Sequence, residues 1–248
     1  MTLPGKFADV LVHWPRFLDG MVMTLEMTLV STVVGLLAGI VVAAGRRSDV
    51  LLIRMLADVY VQSLRNTPFL VQILVLYFGL ASLGLQLPAV FVGILAMVIN
   101  VGAYTGEIIR AGLDDIPRGQ IEAAECLGLS RFRVFLHVCL APAIERVYPA
   151  LTSQFILMML MSSVTSQISV DEISGIAINI QSETFLSLET YLVVAALYVV
   201  LALLLKAGFW ALGEAIFKRR RVMRSQSRRR FAAPMPAYEL TRLTGGNG

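Results

Sequence analysis

The sequence predicts an all-α membrane protein with five transmembrane helices. Composition, the length of its apolar stretches and the placement of its basic residues all indicate this class. Of the 248 residues, 57% are hydrophobic and 15% are charged, and the mean hydropathy is +0.75. Soluble domains have about 45–50% apolar and about 25% charged residues. Lipid is therefore the expected main solvent, and the Gly, Pro and Cys contents exclude collagen-like and disulfide-framework proteins.

Five apolar stretches are long enough to cross a bilayer, which requires roughly 20 apolar residues in a helix. The first stretch is interrupted only by Glu26. No charged residue occurs between Arg65 and Glu107, and Gly84 and Pro88 divide that stretch into two helices joined by a short turn. The expected spans, within one membrane domain over 20–217, are 20–44, 66–84, 88–108, 147–168 and 190–212.

The basic residues predict the orientation of the spans, because cytoplasmic loops carry an excess of Lys and Arg. Of the 21 basic residues, 19 lie in segments 45–65, 110–147 and 206–248, whereas segment 166–189 contains none. We therefore expect residues 1–19 outside and the C-terminus in the cytoplasm. The basic run that begins at Lys218 predicts a disordered tail over 218–248 close to anionic lipid. No folded module accompanies this run, so a nucleic-acid partner is not expected.

The longest connection between spans, 111–146, has features that a simple linker does not need. Pro117 ends the preceding helix and can begin a new one, and Gly128 is typical of a helix end. A short helix is therefore predicted from Gln120 to Leu127, with Ser130 as the N-cap of the next helix. Small residues inside this helix would let another backbone approach closely, and charged residues surround them. An amphipathic helix lying on the membrane surface is the alternative interpretation.

Further motifs follow one another along the chain. Segment 122–128 reads EAAECLG, and segment 60–72 reads YVQSLRNTPFLVQ. Segments 103–112 (AYTGEIIRAG), 116–120 (IPRGQ) and 149–156 (PALTSQFI) complete the set. The first resembles the EAA loop of ABC importer permeases. The others are similar to signatures of the permease subunits that serve importers of histidine, glutamate, glutamine, arginine and opines. The resemblance covers roughly residues 18–218.

This resemblance implies a type I ABC importer permease fold in a bacterial inner membrane. The EAA helix would seat in a cleft of a cytoplasmic ABC ATPase dimer. The implied ATPase-coupling residues are Glu122, Ala123, Ala124, Gly128 and Arg131. No G-x-x-x-x-G-K-[ST] motif occurs here, so the chain is expected to be non-catalytic, to bind no cofactor and to leave ATP and Mg to the partner. The other implied partners are a second permease subunit (identical or different), an extracytoplasmic solute-binding protein, a polar amino acid and membrane lipid.

The chain departs from the family pattern at two places. The Leu-Pro pair that follows the EAA loop in the family appears here as Leu140-Ala141-Pro142, so the proline is displaced by one position. This displacement is expected to shift the start of the fourth span. In addition, Leu160 and Met161 occupy positions where the family usually has Lys followed by Asp or Asn. A charged pair inside the membrane is thereby lost.

Polar residues in the spans are candidates for the substrate path. Glu26 is expected to face the bundle interior or a water-filled cavity, because a carboxylate in hydrocarbon is costly. It would recognise the substrate ammonium or a cationic side chain. The alternatives are a structural or partner-subunit contact and a side chain that snorkels to the membrane interface. The other candidates are Thr67, Gln72, Asn100 and Gln154, which hydrogen bonding between helices explains equally well.

Three charged residues near the inner end of the third span predict a helix-end charge network, since Glu107, Arg110 and Asp114 are three and four residues apart. Gly35 and Gly39 predict a helix-packing face. No metal site is predicted.

Rival functions are a secondary transporter or channel driven by an ion gradient, and a non-transporting membrane scaffold. The small number of spans and the lack of an evident repeat disfavour the gradient-driven class.

Overall fold

The computed structural model describes residues 3–217, and this part of the chain is helical and contains no β-strand. The α-helices are α1 (Leu3–Leu11), α2 (Trp14–Gly45), α3 (Leu51–Arg65), α4 (Phe69–Ser82), α5 (Ala89–Asp114), α6 (Arg118–Cys126), α7 (Arg131–Arg133), α8 (Ala141–Met161), α9 (Ile173–Thr184) and α10 (Ser187–Ile216). A π-helix, Val134–Leu140, joins α7 to α8, and a 3₁₀-helix, Ser162–Ile168, follows α8. The tail expected over 218–248 lies outside the described residues.

The chain divides into two compact units, Met1–Lys206 and Ala207–Gly248. The described part of the second unit is the end of α10 and Phe217. All sites discussed below lie in the first unit.

Four helical stretches of the described chain are long and apolar enough to cross a membrane. They are Trp14–Gly45, Ala89–Asp114, Arg131–Ile168 and Ser187–Ile216. The pair α3 and α4 passes the same test together, and counting it as one broken span gives five. The all-α membrane class that the sequence predicts is therefore confirmed.

The second span differs most from the sequence expectation. An additional helix, α3, precedes it, and the chain bends by 110° between α3 and α4. The bend lies at residues 66–68, which we call the corner. Pro68 lacks an N–H group and disfavours helical conformation at Thr67, so a helix cannot run through this point unbroken. Helix α3 was not expected, because Arg54 and Asp58 interrupt its apolar residues and leave no run long enough to be recognised.

Close packing of α2 against α5 forms the centre of the first unit. Gly35 and Gly39 lie buried in this contact, as predicted. A Cβ atom built on Gly39 would contact the Thr105 side chain and lie 2.9 Å from the Gly106 nitrogen. The Thr105 hydroxyl donates a hydrogen bond to the Gly35 carbonyl at 3.2 Å. Small residues thus bring the two backbones together and expose a carbonyl to a polar partner.

The fourth span begins earlier than the expected residue 147, because the helical stretch is continuous from Arg131 to Ile168. The π-helix lies directly before Ala141 and Pro142. Proline in a regular α-helix collides with the carbonyl four residues earlier. A π-turn closes its hydrogen bonds over five residues and so accommodates one residue more than an α-turn. The π-helix therefore accommodates Pro142 without ending the helix.

Candidate functional site

Helix α6, which contains most of the EAA segment, begins directly after Pro117 and ends in a Schellman motif. The Gly128 N–H donates to the Glu125 carbonyl at 2.9 Å, and the Leu129 N–H donates to the Ala124 carbonyl at 3.3 Å. Gly128 has φ +75°, a left-handed conformation that favours glycine, and no atom lies within 4 Å of a Cβ built there. Gly128 therefore allows the chain to reverse sharply and leaves open space above the turn.

The residues of the EAA segment divide between two faces of α6. Glu122, Ala123 and Gly128 are exposed, whereas Ala124 is only 5% exposed and packs inward. Arg131 is exposed as well. Ser130 occupies the N-cap of α7 in extended conformation, but its side chain makes no capping hydrogen bond.

Two large apolar side chains flank the turn without being covered. Leu127 is 81% exposed and Phe132 is 72% exposed. A surface loop gains nothing from leaving such side chains in water, and exposed apolar residues that are grouped with polar ones are typical of a protein contact. Sequence reasoning missed both residues, although their position on either side of Gly128 offered a signal.

The loop is joined to the helices around it by polar contacts and a small cavity. The Arg146 guanidinium donates to the Asp115 carbonyl at 3.1 Å, which ties α8 to the start of the loop. A cavity of about 130 Å³ lies between the loop and the bundle. Its lining residues are Arg47, Leu113, Glu125, Arg131, Val134, Phe135 and Cys139.

Glu107 is the centre of a charge network that includes all three residues expected from the sequence. It accepts hydrogen bonds from Arg110 at 2.8 Å and from Arg46, and it lies 3.7 Å from Arg65. Arg110 also donates to Asp114 at 2.5 Å. The network extends to Asp58 through Arg46 and to Arg47 through Asp114. It joins the ends of α2, α3 and α5 at one end of the bundle.

Three of the substrate-path candidates are hydrogen-bonded together at the corner. The Gln72 amide donates to the carbonyls of Leu64 and Thr67, each at 2.8 Å, and so caps the end of α3. The Asn100 amide donates to Gln72 Oε1 at 2.9 Å. The Thr67 hydroxyl donates to the Ser63 carbonyl. Within the described residues, Asn100 Oδ1 is buried without a hydrogen-bond partner.

A cavity of about 250 Å³ lies in the angle between the corner and α5. Thr67 and Gln72 are among its lining residues, which are Ser63, Leu64, Thr67, Val71, Gln72, Val75, Leu76, Ala96 and Ile99. None of these side chains is charged. The cavity thus combines an apolar wall with a few polar groups, as small-molecule sites commonly do.

Gln154 lies apart from the corner, half-buried on α8. A larger cavity of about 380 Å³ is lined mainly by residues of the 3₁₀-helix and α9. Its lining residues are Leu70, Ser163, Val164, Ser166, Gln167, Ser174, Ile178 and Tyr191. Leu160 and Met161, the positions at which the family's charged pair is lost, do not line it. Leu160 is 40% exposed.

Glu26 does not face the interior of the bundle formed by this chain, which is one of the two environments expected for it. Glu26 is exposed and shares its face of α2 with the exposed side chains of Val22 and Leu29. The buried face of α2 is instead occupied by small and hydroxyl-bearing residues such as Thr24 and Thr28. These residues allow close packing on α5 and α9, which a glutamate side chain would prevent. Glu26 is therefore available for a contact outside this chain.

Glu172 is a buried carboxylate that sequence reasoning did not single out. It caps α9, with Oε1 accepting hydrogen bonds from the N–H groups of Ser174 at 2.8 Å and Gly175 at 3.0 Å. Its Oε2 accepts from the Tyr198 hydroxyl at 2.5 Å and the Thr24 hydroxyl at 3.4 Å. Burial raises the pKa of Glu172, and these hydrogen bonds oppose the shift. The carboxylate thereby joins α2, α9 and α10.

No group of three or more His, Cys, Asp or Glu side chains within residues 3–217 is arranged to hold a metal ion.

Residues 35–217 match the model of a protein family described as the inner membrane component of binding-protein-dependent transport systems. The chain belongs to this family. It is a permease subunit with several membrane spans, and the matched region includes the corner, the charge network and α6.

Individual permeases of this family are similar to the chain over most of its length. The permease is 33% identical over 216 residues to the nopaline transport system permease protein NocM of Agrobacterium fabrum, covering 81% of this chain and 90% of that protein. It is 31% identical over 200 residues to the arginine transport system permease protein ArtQ of Bacillus subtilis, covering 80% and 91%.

Solved structures share the fold. A chain in the crystal structure of an amino acid ABC transporter with histidines has a TM-score of 0.78 and 34% identity, covering 87% of this permease and 100% of that chain. A chain of the inward-facing MetNI methionine ABC transporter has a TM-score of 0.64 at 19% identity, which shows the fold alone. The type I permease fold expected from the sequence is confirmed.

Proposed function

We propose that this permease subunit forms half of the membrane core of an ATP-driven importer for a polar amino acid or an opine-like derivative. The related permeases are named for nopaline and arginine transport, and the similar solved structure is an amino acid transporter with histidines. A solute-binding protein would deliver the solute from outside, in keeping with the family's description as binding-protein-dependent. The second permease subunit would be a copy of this chain or a similar one.

The exposed helix α6, which we call the coupling helix, is the observation that carries this proposal. Its outer face combines Glu122 and Ala123 with the flanking apolar side chains of Leu127 and Phe132, around a glycine with open space above it. Such a surface suits a cleft of another protein, in which the apolar side chains would be buried and Arg131 would pair at the rim. The partner would be a cytoplasmic ABC ATPase dimer that binds ATP and Mg, because this chain has no phosphate-binding motif.

We propose the orientation of the subunit in the membrane from the same assignment. The coupling helix would lie in the cytoplasm together with the end of the bundle that carries the charge network, and the N-terminus would lie outside. The excess of basic residues on that side supports this arrangement.

The solute path would pass the cavity at the corner. Thr67 and Gln72 line this cavity, and Asn100 holds Gln72 in place. Gln154 would contribute from α8.

Replacement of Gly128 tests the coupling role, and Gly84 provides a matched control. Both glycines have positive φ, +75° and +81°, and neither has an atom within 4 Å of a built Cβ. They lie beyond opposite ends of α5. Gly128→Trp and Gly84→Trp therefore introduce the same backbone strain and bulk, but only the former blocks the coupling surface.

We expect Gly128→Trp to insert in the membrane at a normal level but to lose the co-purifying ATPase, with ATP-dependent uptake reduced about 10-fold or more. Gly84→Trp should retain the ATPase. The measurement is affinity purification of the tagged full-length permease, followed by uptake in proteoliposomes. Equal ATPase recovery and uptake with both variants would contradict the coupling role.

A further inference from the structure

Helix α5 contacts the corner and the helix leading into it at successive levels along its length. The Tyr60 hydroxyl of α3 donates to the Ile99 carbonyl at 2.6 Å. One residue further along, Asn100 donates to Gln72 of α4 at 2.9 Å. Both contacts lie at the cavity, of which Ile99 and Gln72 are lining residues.

A third contact lies two helical turns further along α5. The Arg65 guanidinium, on the last residue of α3, lies 3.7 Å from a carboxylate oxygen of Glu107 and 5.8 Å from the ring centroid of Tyr104. Glu107 is itself held by Arg46 and Arg110. Its carboxylate therefore has a fixed position when Arg65 approaches it, which reduces the entropy lost on pairing.

The same helix continues without interruption to the coupling loop. Arg110 joins Glu107 to Asp114, the last residue of α5. Only residues 115–117 separate the end of α5 from α6. The Arg146 guanidinium donates a hydrogen bond to the Asp115 carbonyl in this connection. A helix of this length is a rigid element, so a displacement at its end is carried along its axis.

We propose that α5 transmits displacement of the coupling helix to the corner, and that Arg65 is the positioning residue that fixes the corner to α5. This inference rests on the proposed function, since it specifies how the coupling surface acts on the solute cavity. When α5 shifts, the links through Arg65, Gln72 and Tyr60 draw the corner with it. Residues 63–72 and α5 then move as one unit relative to the other helices. This movement changes the access of solute to the cavity.

The test compares Arg65→Met with Arg54→Met in the full permease complex. Arg54 is a matched control because it lies on the same helix, α3, is exposed, and lines neither the cavity at the corner nor the cavity beside the loop. The quantity measured is solute uptake per ATP hydrolysed in proteoliposomes, with radiolabelled L-arginine, L-histidine and L-glutamine as probes.

For Arg65→Met we expect this ratio to fall about 3-fold to 10-fold while ATP hydrolysis persists. For Arg54→Met the ratio should stay within about 2-fold of wild type. Arg65→Lys, which keeps the charge near Glu107, should recover part of the loss. A parallel fall of uptake and hydrolysis in Arg65→Met would indicate damage to the fold alone and would overturn the proposal, as would an unchanged ratio.

A distance measurement provides a second readout that does not depend on the choice of solute. Spin labels are placed on the native, exposed Cys126 of α6 and on Asn66→Cys at the corner, with Cys139→Ala removing the other thiol. The labelled subunit is diluted with unlabelled copies. We expect ATP to change the separation between labels in the parent and in Arg54→Met, and to leave it unchanged in Arg65→Met.

The outcomes separate this inference from the function on which it rests. A parent complex with neither ATP-dependent uptake nor a distance change would overturn the proposed function and this inference together. A parent that responds to ATP, with an Arg65→Met variant that responds equally, would overturn the inference alone.

Discussion

The carboxylate of Glu172 shows how one side chain can hold three helices together. It is fully buried and has no cationic partner among its hydrogen-bonding contacts, yet each of its oxygens accepts two hydrogen bonds. Two of the donors are N–H groups at the start of α9, where the helix dipole also favours a negative charge. The arrangement offsets the cost of burying a charge, which an unpaired carboxylate could not sustain.

Replacement of Tyr198 by Phe tests this interpretation. The change removes the shortest hydrogen bond to Glu172 with little change in shape, and bonds to charged groups contribute about 1.5–3 kcal/mol. We expect the free energy of unfolding in detergent to fall by about that amount at neutral pH. Tyr191→Phe on the same helix, where the ring is 43% exposed, is the control and should remain close to wild type.

The effect of Tyr198→Phe should also depend on pH. Burial raises the pKa of Glu172 above the ordinary value of 4.5, so the folded chain binds the proton more tightly than the unfolded chain. The contribution of Glu172 to the free energy of unfolding therefore falls as pH rises above 4.5. Losing the Tyr198 hydroxyl, which donates to the charged carboxylate, makes this fall larger. Melting curves should show a larger deficit for the variant at about pH 8 than at about pH 5. A deficit that is independent of pH would indicate that Glu172 stays protonated.

At the scale of elements, the contact between α2 and α5 depends on residues without side chains. Gly39→Val would place atoms against Thr105 and the Gly106 backbone, so the helices must separate. We expect a loss of about 1–3 kcal/mol in the free energy of unfolding. Gly79→Val on α4, where nothing lies within 4 Å of a built Cβ, should change it by no more than about 0.5 kcal/mol. Comparable melting temperatures for the two variants would contradict the packing role of Gly39.

The sequence indicated those elements whose signal is local. Long apolar runs predicted the spans, the spacing of Gly35 and Gly39 predicted their packing face, and Pro117 with Gly128 predicted the ends of α6 to within two residues. Each of these features depends on the residue and its near neighbours. The charge network was anticipated in part, because Glu107, Arg110 and Asp114 lie on one face of α5, whereas Arg46 and Arg65 join it from other helices.

Features that depend on contacts between distant segments could not be read in this way. The capping of the corner by Gln72 requires the chain to bend back on itself, and the burial of Glu172 requires Thr24 and Tyr198, which lie 148 and 26 residues away in the sequence. The same limit explains why the exposed position of Glu26 could not be predicted from the sequence. The sequence shows that a carboxylate in a span needs a polar neighbour, but not which side of the helix the other helices cover.

At the scale of the whole molecule, the permease consists of a packed centre and two functional regions joined by α5. The centre is the contact of α2 with α5. The first functional region is the corner with its cavity, and the second is the exposed loop that contains α6. The charge network lies between the two regions and ties three helix ends together. This division lets the loop move against a partner while the centre stays packed, which a coupled transporter requires.

Exposed apolar surface also suits this arrangement. The outward faces of α2 and α10 carry large apolar side chains that are half or more exposed, including Val33, Leu37, Val199 and Leu203. Lipid can cover such faces, and a second permease subunit can cover part of them. Glu26 on the same face of α2 then marks a position where a polar neighbour from outside the chain is needed.

The central claim is that ATP hydrolysis on a separate protein drives inward transport of a polar amino acid through this permease. The most direct measurement is uptake of radiolabelled L-arginine, L-histidine and L-glutamine into proteoliposomes that contain the co-purified complex and its binding protein. ATP is supplied on the side of the coupling loop, and parallel vesicles carry a proton or sodium gradient without ATP. We predict that uptake requires ATP and the binding protein and is insensitive to the gradient. Uptake driven by the gradient in the absence of ATP would contradict the account.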